Sequence, residues 1–347
     1  MKQPEIQPDT HQRVQAAMRA AFPQAEERVS RFYAMQEYHL GWRNSQLVPS
    51  ESDPGKLIRP QLVMLACRAA GGDPAQALSL AAGIQLLHDF TLIHDDIEDD
   101  SDTRRGRPTL WNLWGLAQGI NAGDGMFVIA HLAIHRLSEA GVPAERVLRI
   151  LRHFDEVILS VCEGQFLDIS FEGDLSITPT DYLAMIGRKT AALIDGSAAL
   201  GAMVAGADDS TVAALGTFGR SLGLAFQIED DILGIWGDPK LTGKPRAADL
   251  YRRKVSLPVV HALRTAAAAD ELAAIYTQPA PDDVAVDRAL AILDAAGSRA
   301  YCAAIAAEHH HAALAALEEF DTHGSAEAAA ARAQIRAVAE SLLGRQA

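Results

Sequence analysis

Apolar residues recur at helical spacing along almost the whole chain. Alanine and leucine dominate these runs, whereas alternating β-branched segments bounded by turn pairs are scarce, so the pattern favours helices nearly throughout. Clusters of Gly, Pro, Asp and Ser interrupt the runs, and their spacing predicts about ten or more helices. We therefore expect an all-α fold. The breaks fall at residues 50–55, 71–74, 104–109, 141–143, 173–179, 206–209, 237–245 and 278–283.

Local signals predict where some helices begin and how one of them is placed. Asp73 precedes Pro74 and Thr178 precedes Pro179, which is the arrangement of an N-cap residue followed by proline in the first helical turn. Residues 191–207 form the most apolar stretch, but an aspartate and three glycines interrupt it. The stretch falls short of the roughly 18 uninterrupted apolar residues typical of a membrane span. It predicts a buried helix, and we expect no membrane span.

No clear boundary divides the chain into domains. Its 347 residues contain no Gly/Ser-rich linker and no low-complexity tract, and such tracts commonly join separate domains. Residues 278–283, with two prolines, mark a candidate joint before an alanine-rich tail. We expect a single domain over residues 1–347, in which residues 279–347 form C-terminal helices.

Composition and charge narrow the class of protein. The chain carries 31 Lys and Arg against 45 Asp and Glu, a formal net charge of -14, which argues against binding nucleic acid through its phosphates. Its three cysteines lie far apart and form no CxxC pair, so they predict free thiols in a reducing compartment. A secretory signal has a basic segment followed by an apolar run, and the start of this sequence has neither in that order. We expect a cytoplasmic protein.

An acidic segment follows the apolar run of residues 81–93. Asp95, Asp96 and Asp99 are three and four positions apart, so on a helix they crowd one face with neighbouring Cβ atoms within about 6 Å. Mg²⁺ would relieve the repulsion, because it takes one or two carboxylates and fills its other positions with waters and phosphate oxygens. The segment lacks the glycine and glutamate of a calcium-binding EF-hand loop. It predicts Mg²⁺ and a phosphate ester, with a solvated acidic helix end as the alternative.

A second acidic segment and several basic residues extend this pattern. Asp230 and Asp231 follow another apolar run, and a basic turn at residues 104–107 follows the first aspartates. Lys56 and Arg59 are three residues apart, so one anion could bind a point charge and a planar guanidinium together. Each signal is weak by itself, but together they place anion-binding groups beside cation-binding groups.

Over about residues 55–263, these segments resemble the trans-isoprenyl diphosphate synthases, or polyprenyl synthetases. That resemblance implies an isoprenoid synthase fold, with helices around a central cavity for a prenyl chain. It also implies that an allylic prenyl diphosphate is condensed with isopentenyl diphosphate, and that the enzyme is a homodimer. The matching motifs are GKxxRP at 55–60, the pattern leading to HDDxxD at 87–99, RRGxPT at 104–109, Lys189-Thr190, FQxxDDxL at 226–233, GKxxxxDL at 243–250 and Lys254.

The resemblance assigns roles to residues at the matching positions. It implies Mg²⁺ ligands, for three ions when substrate is bound, at Asp95, Asp96, Asp99 and Asp230. It implies catalytic roles for four residues, of which Lys189 and Lys244 bind the allylic diphosphate and Thr190 and Gln227 line the reacting centre. It implies that the two diphosphates are bound by Lys56, Arg59, His88, Arg104, Arg105 and Lys254. In this reading Arg104 belongs with the allylic diphosphate, whereas Lys56, Arg59, His88 and Arg105 belong with isopentenyl diphosphate.

The chain departs from the family pattern at one position. The second motif usually reads DDxxD, but Gly234 takes the place of its third aspartate, so metal affinity on that side is expected to be weaker. Asp238 is four residues further on but follows Gly237, and we do not assume that it substitutes. Asp168 and Glu172, four residues apart, could reach the mouth of the cavity, but a solvated face is the favoured expectation.

Product length is predicted from the residues before the first aspartates. With a 1.5 Å rise per residue, Phe90 lies about 7.5 Å below Asp95 along a helix, where an aromatic ring could block a growing prenyl chain. Thr91 beside it is small. Only two residues separate Asp96 from Asp99, without the two-residue insertion found in many bacterial farnesyl synthases of the family. By resemblance, this combination indicates geranylgeranyl diphosphate (C20), with farnesyl diphosphate (C15) next. Simple core packing of Phe90 stays open as an alternative.

Two other functions remain as alternatives. A class I terpene cyclase uses the same Mg²⁺-assisted ionisation but needs no second diphosphate site, so the basic residues assigned to isopentenyl diphosphate argue against it. A non-catalytic partner subunit is conceivable because of Gly234, although the complete first motif argues against that reading.

Overall fold

A computed structural model of the chain describes residues 8–52, 55–239, 246–278, 280–320 and 325–343. Helices dominate these residues, so the predicted all-α fold is confirmed. Within the described ranges the only sheet is a short hairpin, in which Thr103–Arg104 (β1) pairs antiparallel with Arg107–Pro108 (β2).

The described residues cluster into two compact units. The first takes residues 1–153, 200–208 and 324–331, and the second takes residues 154–199, 209–323 and 332–347, as far as these are described. The assignment of the chain to a single domain stays a prediction, and so does the central cavity.

The first unit is built mainly from residues before 153. A helix of 27 residues, α7 (Ala144–Ser170), begins in this unit and continues in the second. The other helices are α1 (Pro8–Ala21), α2 (Ser30–His39), α3 (Ile58–Ala69), α4 (Leu78–Glu98), α5 (Leu110–Trp114) and α6 (Leu116–His135), with 3₁₀ turns at Glu27–Val29 and Arg136–Ser138.

The second unit contains most of the remaining helices. The two that also reach into the first unit are α9 (Ala192–Ala205) and α16 (Ala326–Leu343). The others are α8 (Pro179–Ile186), a π-helical turn (Gly187–Ala191), α10 (Asp209–Trp236), α11 (Ala248–Tyr251), α12 (Leu257–Thr265), α13 (Ala269–Tyr276), α14 (Asp283–Ala295) and α15 (Ser298–Glu319).

Helix α4 organises the core of the first unit. It packs against α1, α3 and α6, and Leu80, Ile84 and Leu87 are fully buried along it. These residues repeat at the three- and four-residue spacing of one helix face, and burying each contributes about 1.5–3 kcal/mol. The packing fixes α4 over its length and leaves its C-terminal end to present the first aspartates.

Helix α10 has the same role in the second unit. It packs against α15 and the π-helical turn, and its Ile228 shares a buried cluster with Tyr182, Leu257 and Cys302. Its last two turns carry the second pair of aspartates. Helices α4 and α10 therefore both carry carboxylates towards their C-terminal ends.

The two predicted helix starts have different outcomes. Thr178 caps α8 as predicted, because its hydroxyl accepts from the backbone of Asp181 and the Asp181 carboxylate accepts from the backbone of Thr178. The predicted start at Asp73-Pro74 is wrong. There the Asp73 carboxylate accepts from the backbone N–H of Ala75 and forms a turn, and α4 begins only at Leu78. An aspartate can stabilise a turn and a helix start by the same local hydrogen bond.

The apolar stretch near residue 200 forms a helix, α9, whose residues are largely buried. Among the described residues, no single helix is both long and apolar enough to cross a membrane. A bent pair, Asp283–Ala295 with Ser298–Glu319, meets the length and composition criteria only when the two are taken together.

Candidate active site

In the first unit, the acidic end of α4 is paired with an arginine that lies close by in the sequence. Asp96 is buried, and the Nε of Arg104 donates to its Oδ1 at 2.8 Å. Burial raises the pKa of Asp96, and the positive charge of Arg104 partly offsets this. Asp95 is half-buried and Asp99 is exposed at the C-terminal cap of the helix. The three predicted metal ligands therefore lie at one helix end, two of them open to solvent.

The hairpin after α4 brings Arg104 back to the aspartates. Thr109 donates its hydroxyl to the backbone oxygen of Ser101 at 2.8 Å, and the indole of Trp111 donates to the same oxygen at 3.0 Å. Arg105, at the turn, has a φ of 52° and is exposed. A Cβ added to Gly55 would lie 3.6 Å from its Nη2, so the hairpin and the GKxxRP segment lie side by side.

Two half-buried polar residues, Arg59 at the start of α3 and His88 of α4, lie close together. The Nε of Arg59 is buried and makes no hydrogen bond among the described residues. Burial lowers the pKa of Arg59 to about 10, and the charge of Asp89 opposes this, so the guanidinium is positive at neutral pH. Burial and the charge of Arg59 hold the pKa of His88 well below its usual value. A positive group with an unpaired donor is suited to bind an anion.

Sequence reasoning missed the acid beside this arginine. Asp89 is buried, accepts from Nε2 of Gln85 at 2.9 Å, and lies 3.7 Å from Nε2 of His39. Burial alone would raise the pKa of Asp89, but the contact with His39 and the charges nearby hold it below its usual value. The four-residue spacing of Gln85 and Asp89 on a helix is a signal that could have identified the pair.

Phe90 begins a row of rings rather than standing alone. Its ring contacts His94 at 4.9 Å and Phe127 of α6 at 5.3 Å between centroids, and Phe127 contacts His131 at 4.7 Å. The hydroxyl of Thr91 donates back to the oxygen of His88 at 2.8 Å. The ring of Phe90 is half-buried and is held by this row.

In the second unit, the π-helical turn carries the Lys189-Thr190 motif. A single π turn often marks a functional site, because it redirects side chains within a helix. Gly164 of α7 lies directly against this turn, since an added Cβ would be 2.6 Å from Cα of Lys189. The ammonium of Lys189 pairs with Asp168 at 2.5 Å. Asp168 is half-buried in this ion pair, whereas Glu172 is exposed as expected.

A chain of hydrogen bonds links this turn to the acidic end of α10. Thr190 donates to Oε1 of Gln227 at 3.0 Å, and Gln227 donates to Oδ1 of Asp231 at 3.1 Å. Tyr182 donates to Oδ2 of Asp231 at 2.5 Å, and Lys254 lies 3.5 Å from Oδ1. Two of the predicted residues, Thr190 and Gln227, thus orient one another.

Asp231 is the fully buried member of the second acidic pair. Burial raises the pKa of Asp231, and Lys254 and the hydrogen bonds from Tyr182 and Gln227 oppose the rise. Asp230, the predicted metal ligand, is half-buried beside it. Burial would lower the pKa of Lys254, but the neighbouring carboxylates outweigh burial and raise it.

Two of the predicted basic residues, Lys56 and Lys244, are not placed in a binding arrangement by the described residues. Lys56 is exposed, and its backbone oxygen accepts from Gln61 at 2.6 Å. Lys244 lies outside the described residues. Within the described part of the chain, no group of three or more His, Cys, Asp or Glu side chains is arranged to hold a metal ion. Carboxylate oxygens at both helix ends nevertheless fit Mg²⁺, which shares its coordination between one or two carboxylates, waters and substrate phosphates.

Comparison with known sequences matches most of the chain. Residues 46–293 match the sequence model of the polyprenyl synthetase family. A geranylgeranyl diphosphate synthase of Mycobacterium tuberculosis is 45% identical over 287 residues, which cover 82% of this chain and 81% of that protein. A (2E,6E)-farnesyl diphosphate synthase of Mycobacterium bovis is 40% identical over 277 residues, which cover 78% of this chain and 76% of that protein.

Solved structures are similar over nearly the full length. A polyprenyl synthetase from Streptomyces coelicolor superposes with a TM-score of 0.87 at 33% identity, covering 96% of this chain and 98% of that one. A geranylgeranyl pyrophosphate synthetase from Pyrococcus horikoshii gives a TM-score of 0.85 at 31% identity, covering 97% of both chains. The isoprenoid synthase fold expected from the motifs is confirmed.

Proposed function

This chain belongs to the polyprenyl synthetase family, and we propose on that premise that its product is geranylgeranyl diphosphate. It is a prenyltransferase that condenses isopentenyl diphosphate with an allylic diphosphate. The relative with the higher identity, at 45%, is a geranylgeranyl diphosphate synthase, and one at 40% makes farnesyl diphosphate. A C20 product is therefore favoured over a C15 product.

One observation in the first unit supports a reaction with two diphosphate substrates. The acidic end of α4 and the half-buried Arg59 are separate groups in the same unit, and the buried Nε of Arg59 is an unpaired donor. Carboxylates suit a metal-bound diphosphate, whereas Arg59, His88 and Arg105 suit a diphosphate bound directly. A terpene cyclase has one diphosphate substrate and would not need the second group.

The residues have distinct parts in the proposed reaction. When bound, Mg²⁺ offsets the charge that develops on the diphosphate oxygens as they leave. We assign its binding to Asp95, Asp96, Asp99 and Asp230, with three ions when substrate is present. Arg104 orients Asp96 and adds positive charge beside it.

The second unit contributes positive charge and polar groups. Lys189, Lys244 and Lys254 bind diphosphate oxygens in this proposal, and fixed positive charge of this kind lowers the barrier because it needs no rearrangement during reaction. Thr190 and Gln227 present a fixed polar edge through their mutual hydrogen bond. The alkene of isopentenyl diphosphate then attacks the allylic cation, and the departing diphosphate accepts the proton that is lost.

Phe90 is proposed to limit the length of the product. It is half-buried and supported by the ring of Phe127, so a prenyl chain that reached it would meet a packed pair of rings. Thr91 is small, and its hydroxyl is occupied by the backbone of α4. Truncating Phe90 removes the ring but leaves the aspartates in place.

We also propose a homodimer in the cytoplasm. Helix α6 exposes Leu116, Ile120, Val128 and Leu132 in four-residue steps that wind slowly around the helix, and exposed apolar patches commonly mark protein interfaces. A second copy of the chain is the proposed occupant, because self-association through one repeated surface is the commonest form of oligomer. Sedimentation velocity of the purified protein distinguishes dimer from monomer.

The function is tested by product analysis. Purified protein with Mg²⁺ and isopentenyl diphosphate is incubated with dimethylallyl, geranyl or farnesyl diphosphate, and the dephosphorylated alcohols are separated by chromatography. We expect mostly geranylgeraniol from the wild type, and longer alcohols from Phe90→Ala. Farnesol as the end product would correct the length to C15. No elongation by folded protein would contradict the synthase function and favour a cyclase or a non-catalytic partner subunit.

A further inference from the structure

We propose that Asp89 of α4 is a positioning residue for isopentenyl diphosphate, because its buried carboxylate is the counter-charge that keeps the Arg59 guanidinium where an anion can bind it. The proposal deepens the proposed function and rests on it, since Arg59 is one of the residues assigned to that diphosphate. Asp89 does not touch the substrate in this proposal and acts only through Arg59.

The first step concerns how Asp89 is held. Its Oδ2 accepts from Nε2 of Gln85 at 2.9 Å, and its Oδ1 lies 3.7 Å from Nε2 of His39. Gln85 is one turn earlier on α4, whereas His39 is the last residue of α2. A buried carboxylate is costly unless polar partners surround it, and Asp89 has one beside each oxygen. Its charge is therefore fixed in the interior of the first unit.

The second step concerns the charge that Asp89 balances. Burial lowers the pKa of Arg59 to about 10, and the charge of Asp89 opposes that fall. The buried Nε of Arg59 nevertheless makes no hydrogen bond within the described part of the chain. A carboxylate in direct contact commonly occupies two guanidinium donors at once. Asp89 therefore supplies counter-charge without taking up this Nε donor, which an incoming diphosphate can use.

The third step follows from removing that counter-charge. Deleting one partner of a buried charge pair leaves the other charge uncompensated, and the cost is large. Arg59 lies at the start of α3 and is only half-buried, so its long side chain can avoid this cost by turning its charged end to water. We expect Arg59 to leave the diphosphate position in this way when residue 89 carries no charge.

The fourth step concerns the net charge that a substrate meets. The charges of Arg59, Asp89 and Arg105 all act on His88, the residue before Asp89, so they form one electrostatic group. Burial and the charge of Arg59 hold the pKa of His88 well below its usual value, which leaves His88 neutral at pH 7. Two arginines against one aspartate give the group a net positive charge, which attracts an anion.

Two simpler explanations compete with this proposal. Asp89 could serve only to join α2 to α4 through His39, or only to pack against Gln85 within α4. Both explanations give Asp89 a part in stability alone. Both therefore predict that a folded protein without this charge binds isopentenyl diphosphate as the wild type does.

The experiment uses Asp89→Asn and an exchange variant that combines Gln85→Glu with Asp89→Asn. Binding of isopentenyl diphosphate is measured by titration calorimetry with EDTA present, so that the metal-dependent site does not contribute, and steady-state kinetics follow with Mg²⁺ and geranyl diphosphate. Asp89→Asn is expected to raise the Kd and KM for isopentenyl diphosphate by about 10-fold, a common size for coupling between neighbouring groups. The kcat and the KM for geranyl diphosphate change little, as when only ground-state binding is lost. The exchange variant regains most of the affinity, because the buried pair again carries one negative charge.

A double-mutant cycle tests whether Asp89 acts through Arg59. In the Arg59→Met background, adding Asp89→Asn is expected to weaken binding no further, because the residue that Asp89 positions is absent. The double variant also contains neither charge of the pair, so it is expected to unfold at a higher temperature than Asp89→Asn. Thermal unfolding of the two variants keeps the proposal testable even if Asp89→Asn folds poorly.

Asp195→Asn is the matched control. Asp195 is a half-buried aspartate of α9 that interacts with the charge of Arg220, so its variant is expected to bind isopentenyl diphosphate like the wild type. Wild-type binding by folded Asp89→Asn, equal weakening in Asp195→Asn, a folded exchange variant without recovery, or a double variant no more stable than Asp89→Asn would each overturn the proposal. If the wild type elongates primers in any of these cases, the proposed function stands. A folded wild type that neither binds isopentenyl diphosphate nor elongates primers would contradict the proposed function itself, and both would fail.

Discussion

The acidic ends of α4 and α10 carry similar motifs but are stabilised in different ways. Asp96 of α4 takes its counter-charge from Arg104, eight residues further along the chain. Asp231 of α10 takes its partners from Tyr182 and Lys254 on other elements of its unit, and from Gln227 one turn before it. The first acidic end is assembled from one continuous segment, whereas the second depends on tertiary packing.

Because of this difference, substitutions at the two helix ends are expected to affect different properties of the protein. Arg104 is partly exposed, so water can replace Asp96 as its partner if the carboxylate is removed. Asp231 is fully buried with three polar partners, and removing a buried partner leaves the others without hydrogen bonds. We therefore expect damage at α4 to appear mainly in turnover and damage at α10 mainly in folding.

The largest effect is expected from Asp96→Ala. Loss of one preorganised electrostatic group lowers kcat/KM by roughly 10²–10³-fold, whereas losing a partly exposed ion pair lowers the free energy of unfolding by at most about 1 kcal/mol. Steady-state kinetics and urea unfolding measure the two effects. Asp100→Asn is the matched control, since Asp100 is exposed with a φ of 48° that asparagine also adopts. Equal losses in the two variants would refute the assignment of Asp96.

The next effect is expected from Asp231→Asn. Breaking a buried charged network lowers the free energy of unfolding by about 3 kcal/mol, and Tyr182→Phe, which removes one hydrogen bond, lowers it by about 1–2 kcal/mol. Urea unfolding with both variants gives these values. Glu229→Gln, on the same helix and only half-buried, serves as the control. If Asp231→Asn destabilised the protein no more than Asp96→Ala, the contrast between the two helix ends would be wrong.

The smallest effect concerns pH. Burial raises the pKa of both Asp96 and Asp231. Because the folded-state pKa is raised, each carboxyl stabilises the fold fully below the unfolded pKa of about 3.9, and that contribution is lost as the pH rises through the folded-state pKa. In metal-free protein, the Tm of wild type relative to Asp96→Asn or Asp231→Asn should therefore fall as the pH rises above about 4.

Metal sharpens the pH comparison. Mg²⁺ with inorganic diphosphate favours the ionised form of a carboxylate that binds it. The fall in relative Tm with rising pH should therefore become smaller for Asp96 and stay the same for Asp231. Thermal melts of each variant and wild type, with and without Mg²⁺ and diphosphate, provide the measurement. The same change at both positions would mean that Asp231 also binds the metal.

Much of the fold and part of the site could be predicted from local sequence. Helix spacing and the Thr178 cap depend on residues three or four positions apart, and the aspartates of α4 with their returning arginine lie within one short segment. The same local signals misjudged Asp73, because a turn and a helix start use the same hydrogen bond. They also gave no sign that Asp168 pairs with Lys189, which is 21 residues away.

The sequence by itself determined the all-α class, the family and the helix ends that carry carboxylates, because helical periodicity and short motifs are local properties of the chain. Tertiary structure alone decided what surrounds each carboxylate. Tyr182 reaches Asp231 across 49 residues, and the space at Gly234 is filled by Asp249 from a separate helix. Burial and hydrogen-bond partners of this kind depend on which elements pack together, and no local pattern contains that information.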